Sequence, residues 1–116
     1  MGTRYPGVVQ GVFEEQMQLN AVAAGDGTEI VTRGYATLTM SITGPFVGTV
    51  TFEARVGAAD WAAVRVTPEA TGTPATTATV VGMFRYECAA KNAVRARVSA
   101  WTSGSISVFG QASSRA

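Results

Sequence analysis

Two stretches of the chain alternate strictly between apolar and polar positions. In residues 35–56, Leu38, Met40 and Ile42 fall on one face and Thr37, Thr39 and Ser41 on the other; after Gly44-Pro45-Phe46-Val47-Gly48, Val50, Phe52, Ala54 and Val56 alternate with Thr49, Thr51, Glu53 and Arg55. Period two is the pattern of strands with one dry and one wet face, and a turn-rich link between two such runs predicts a β-hairpin over 35–56. Residues 94–112 repeat the pattern. Val94, Ala96, Val98 and Ala100 point inward and Arg95, Arg97 and Ser99 outward; Thr102-Ser103-Gly104 turns, and Ile106 and Val108 resume, which predicts a second hairpin.

Shorter runs fill the rest. Met17, Leu19, Ala21 and Ala23 share a face before the turn Ala24-Gly25-Asp26-Gly27, and residues 29–33 form a brief strand ended by Gly34. Trp61 opens a strand with Ala62, Val64 and Val66 on one side; Pro68, which has no amide proton for a ladder, ends it. A short strand over 76–81 precedes Phe84, Tyr86 and Cys88 inward with Arg85 and Glu87 outward. No segment holds a helical period. Seven or eight short strands separated by turn signals predict an all-β fold: a two-sheet antiparallel sandwich, jelly-roll or immunoglobulin-like, over residues 17–112, with a tail over 113–116.

Residues 1–16 read differently. Gly2, Pro6, Gly7 and Gly11 oppose a helix, and the sizeable apolar residues are Val8, Val9, Val12 and Phe13. This is an extended arm, placed either as an edge strand on its own domain or against a neighbouring subunit.

Composition narrows the chemistry. The chain has 116 residues, the size of one domain, and 47% hydrophobic residues, enough for a core. Only 15% are charged, with a net charge of +1, and Lys91 is the one lysine. A surface this poor in charge is clad in threonine, serine and alanine or is partly covered by other subunits. The scattered arginines lack the basic stripe of a nucleic-acid module. With no histidine, the commonest general base and metal ligand is missing. Cys88 is the sole cysteine, so neither an internal disulfide nor a cysteine-based zinc site is available; its place in step with Phe84 and Tyr86 predicts a small buried hydrophobe. The N-terminus lacks the basic-then-apolar pattern of a signal peptide, and no apolar run has the length of a membrane span.

The carboxylates suggest no catalytic pair. Glu53 and Glu87, on outward strand faces, are expected to meet Arg55, Arg85 or Arg95 across strands. Gly25-Asp26-Gly27 lacks the further oxygen ligands of a calcium loop and reads as a turn. Trp101 is out of step with Val98 and Ala100. It caps the open end of the sandwich, fills a subunit contact or stacks on a sugar ring; for the sugar role Tyr35 is the second candidate. No residue set calls for a cofactor or a metal, and the chain is read as a non-enzyme.

Over about half of the chain the order of motifs is distinctive: Thr49-Val50-Thr51-Phe52-Glu53, a turn and Trp61, a threonine-rich loop, Gly82-Met83-Phe84-Arg85-Tyr86, then the run from Val94-Arg95-Ala96-Arg97-Val98 through Trp101-Thr102-Ser103-Gly104-Ser105-Ile106 to Val108. This resembles a group of small β-sandwich virion structural proteins of tailed bacteriophages. It departs from them at Ala58-Ala59-Asp60, where they carry an Asp-Gly-rich turn. The resemblance implies a capsid decoration or cement protein, located in the virion after assembly in the host cytoplasm. Its partner would be the major capsid protein or another virion protein, and it would work as a homo-oligomer, most readily a trimer, without nucleic acid or membrane. Val8, Val9, Val12, Phe13 and Trp101 are then the candidate interface; in the alternative, a tail or fibre domain binding host carbohydrate, Trp101 or Tyr35 is the stacking platform.

Overall fold

The structure is a computed structural model, and it describes residues 12–114. Ten strands form two antiparallel sheets packed face to face: β1 (Val12–Ala21), β2 (Ile30–Val31), β3 (Thr37–Thr43), β4 (Phe46–Arg55), β5 (Ala62–Ala63), β6 (Thr67–Pro68), β7 (Thr77–Ala78), β8 (Gly82–Glu87), β9 (Ala93–Gly104) and β10 (Ile106–Ser113). One sheet has the order β1-β10-β3-β8-β6. The other runs β2-β9-β4-β5, with β7 also paired to β4. The expected all-β sandwich is what the chain forms.

Neither expected hairpin exists. β3 lies in the first sheet and β4 in the second; β9 lies in the second and β10 in the first. The two links, Gly44-Pro45 with its cis peptide bond and Ser105, are corners where the chain passes from sheet to sheet. The corners lie side by side: Thr43 is level with Ser107, Phe46 with Gly104, and the Ser105 N–H donates to the Pro45 carbonyl at 3.0 Å. Strands that face each other across a sandwich bury the same alternate residues as strands paired in one sheet, so the period-two pattern serves both arrangements.

The interior is built from those alternate positions. Leu38, Met40 and Ile42 of β3, Val50 and Phe52 of β4, Val94, Ala96 and Val98 of β9, and Ile106 and Val108 of β10 are buried, with Phe52 and Phe84 in ring contact at 5.5 Å. Cys88 is fully buried, and burial pushes its thiol up from the usual range. Gly110 leaves the room that Met17 fills: a Cβ there would lie 2.7 Å from the Met17 sulfur.

Several local expectations are corrected. Val12 to Gln16 belong to β1, which pairs with β10 from Val12–Ser113 to Ala21–Ile106, so within the described residues the arm is an edge strand of its own domain; Val8 and Val9 lie outside them. A bulge between Gln16 and Gln18 breaks the alternation, so Met17 and Gln18 are both buried and Leu19 is exposed. The Gln18 amide is satisfied inside, donating to the carbonyls of Ala96 at 2.9 Å and Gly25 at 3.2 Å. Ala100 is exposed rather than inward, because register shifts between Val47 and Gly48 and between Thr49 and Val50 carry β9 out of phase. Pro68 is paired with Phe84 in β6, at the sheet edge, where a missing amide proton is tolerated.

Candidate interaction surfaces

Alternation puts Glu53 on the outer face of β4, directly opposite Arg95 of β9. The expected pairing is there, and it is larger than one pair. Glu53 Oε1 accepts from Arg95 Nε at 2.7 Å and from Arg97 Nε at 3.3 Å, and Oε2 accepts from Arg97 Nη2 at 3.3 Å. Arg95 also reaches Asp26 at 3.4 Å, so the Gly25-Asp26-Gly27 turn is tied to the sheet through its carboxylate. Arg55 holds Glu29 at 3.3 Å through one terminal nitrogen. The Trp61 ring packs on both guanidinium groups, 4.8 Å from Arg55 and 4.5 Å from Arg95. Such stacking is worth about 0.5–1 kcal/mol per exposed contact. It also gives the otherwise unpartnered Arg55 Nε an aromatic face for cover. Pairing of Glu87 is local, with Arg85 two residues earlier at 3.3 Å.

The carboxylate of Glu53 is buried, which raises its affinity for a proton, but the hydrogen bonds and charges of Arg95 and Arg97 outweigh this and hold it below the usual glutamate range. A depressed folded value means that the stabilisation is complete above the unfolded value, about 4.3, and is lost as pH falls through the folded one. Glu53→Gln should therefore be less stable than wild type at neutral pH by about 1–3 kcal/mol, and the gap should close as urea titrations move into acid. A gap that is constant with pH would show that the carboxylate charge is not what Arg95 and Arg97 hold.

Beside this network, at the end of the sandwich where β4 ends and β9 begins, is an open hollow of 410 Å³ lined by Glu29, Val31, Arg33, Arg55, Asn92 and Ala93 among others. Its carboxylate is already bound to Arg55, and it holds no second acid. An adjoining apolar hollow of 220 Å³ is formed by Phe13, Val31 and Tyr35, with the Phe13 and Tyr35 rings stacked at 6.3 Å. Among the described residues no three histidine, cysteine or carboxylate side chains gather as a metal site would need.

The predicted site residues are thus divided. Phe13 and Tyr35 meet at one end, where the arm enters β1 at Val12. Trp101 is at the other, next to the corners, paired with Gly48 and donating its indole N–H to the Gly104 carbonyl at 3.0 Å. The stacking of Trp61, the Arg97 contact and the buried Gln18 were not legible beforehand; the Arg95-Ala96-Arg97 spacing opposite Glu53 was the available signal for the second.

No protein-family model and no curated protein matches this chain. Among solved structures, it is similar to the SPBc2 prophage-derived protein YomS, with a TM-score of 0.80 and 18% identity over 87% of this chain and 91% of that one. It is also similar to the PBSX exported protein XepA, with a TM-score of 0.83 and 19% identity over 87% of this chain; the match spans 37% of XepA, little more than a third of its length. At these identities the likeness is one of fold: the chain shares its two-sheet architecture with one protein of prophage origin and with one described as exported.

Proposed function

We propose that this chain is a structural protein of a tailed phage, a capsid decoration or cement protein that binds the major capsid protein or another virion protein and acts as a homo-oligomer, with a trimer favoured. In this reading it performs no catalysis, uses no cofactor and engages neither nucleic acid nor membrane. The observation that carries it is an apolar hollow at the edge of a sheet: Phe13 of the edge strand β1 is 37% exposed over a hollow shared with Val31 and Tyr35. Half-covered aromatic residues at a sheet edge suit a contact with a neighbouring subunit. Support also comes from the fold shared with YomS and XepA. The polar side chains of the outer face are engaged with one another, as a scaffold requires, rather than aimed into a cleft.

The test is deletion of residues 1–11, which spares β1 and its pairing with β10. Co-sedimentation with empty capsids should fall at least tenfold while the circular dichroism spectrum stays that of the intact protein. Undiminished co-sedimentation removes the arm from the contact. Absence of co-sedimentation by the intact chain, together with hits on a glycan array that Trp101→Ala abolishes, would replace decoration by carbohydrate binding.

A further inference from the structure

The charges are distributed along the sandwich in a way that composition does not show. Residues 16–25, 34–52, 70–84 and 98–114 contain no Asp, Glu, Lys or Arg. The fold brings parts of all four to one end. β3 and β10 carry no charge over their whole length; on β4 none precedes Glu53, on β9 none follows Arg97, and on β8 none precedes Arg85. Apart from Glu69, whose N–H donates to the Met83 carbonyl, the end that holds the two corners is therefore free of formal charge among the described residues, whereas the opposite end carries Glu29, Arg33, Arg55 and Lys91.

This charge-poor end is also apolar. Leu19, Val22, Val47, Val80 and Val81 are each between 56% and 69% exposed, and Trp101 is 37% exposed. Val81 abuts Gly44 at the corner, and Val47, paired with Ser103, is one register step from the Gly48–Trp101 pair, so apolar side chains stand on both sheets beside the corners. Five aliphatic side chains left in water at one end of a domain mark a surface that is covered in use.

We propose that the corner end is the self-association surface of this protein, and that its occupant is the same end or flank of a second copy. Three observations favour a copy of the chain. A surface whose one formal charge is Glu69 sets few like charges against itself. The indole donor of Trp101 is already used by the Gly104 carbonyl, so covering it strands no hydrogen bond. The molecule measures 48 × 28 × 26 Å, and β9, with 12 residues at about 3.3 Å each, fits only along the long dimension, so the end has a cross-section of 28 × 26 Å, of the order of the ~800 Å² per partner that specific contacts bury. This deepens the homo-oligomer of the reading above and rests on it only for that state; capsid co-sedimentation reads the virion role separately.

The full chain, its Val47→Asp and Val81→Asp variants, and the control Val56→Asp are compared by light scattering and sedimentation velocity over a concentration series. Val56 lies toward the charged end and is as exposed as Val47, 58% in both cases. All three substitutions are at exposed sites, and circular dichroism checks that each is folded. The wild type and Val56→Asp should be multimeric, with association weakened at least tenfold in Val47→Asp and Val81→Asp. Multimers that the two corner variants leave intact overturn the surface while the oligomer stands. A monomeric wild type overturns both, and flotation of that monomer with phosphatidylcholine vesicles, lost in Val81→Asp, would give the patch to lipid instead.

Discussion

Replacing Phe52 with alanine is expected to remove about 3–5 kcal/mol of folding stability, the cost of emptying a large aromatic site that cannot collapse. Phe52 is fully buried in the middle of β4, its ring 5.5 Å from that of Phe84 in the opposite sheet, so it is one of the few large side chains that tie the two layers together. Its neighbours offer little to refill the gap: Ala54, Ala78 and Ala96 supply only methyl groups to the same core. For a domain with a total of about 5–15 kcal/mol, such a loss is a large share. Urea titrations should show the midpoint falling steeply in Phe52→Ala and much less in Phe52→Leu. A loss below about 1 kcal/mol would mean that the sheets are held chiefly by their corners and edges rather than by this contact.

The corners are the subject of the second large effect. Gly104→Ala should destabilise by about 2–5 kcal/mol, from two sources that add. Gly104 has φ of +80°, a region that costs an alanine about 1–2 kcal/mol. A Cβ there would run into the Pro45 carbonyl oxygen and stand 2.7 Å from the Phe46 Cα, so the neighbouring corner must move, at about 1–3 kcal/mol for an overpacked site. Since the clash is with backbone, no side-chain rotamer relieves it. Gly57 also has positive φ, +58°, but nothing lies within 4 Å of its Cβ position. Gly57→Ala should therefore show the φ cost alone, and the difference between the two variants in chemical denaturation measures the corner clash. Equal losses would show that the two corners are not in close contact.

Both effects turn on a feature that alternation does not express. The inward set Leu38, Met40, Ile42, Val50 and Phe52 was legible because a strand with one dry face must bury every second residue, whatever it is paired with. Which strand sits beside which was not. Thr43 to Phe46 reads equally as a hairpin loop or as a passage between layers, since Gly-Pro satisfies a turn in either case. The bulge at Gln16–Gln18 and the register shifts along β9 were hidden for the same reason: an inserted residue changes the phase without leaving a compositional mark, and so Leu19 and Ala100 were assigned to the wrong face.

Of the surfaces, Glu53 with Arg95 was foreseeable, because residues on one face of adjacent strands are forced to be neighbours. Trp61 against Arg55 and Arg95 was not, because it depends on how the turn at Gly57 folds back over the sheet. By itself, then, the order of residues determined that this protein is a layered β fold, most of the side chains that form its interior, and that its charges are few. Only the three-dimensional arrangement decided that β3 and β4 belong to different sheets, and that stretches lacking charge, far apart along the chain, converge on one end. The physical reason is that alternation and composition are local quantities, set residue by residue, whereas pairing and convergence are settled by packing between segments that lie tens of residues apart.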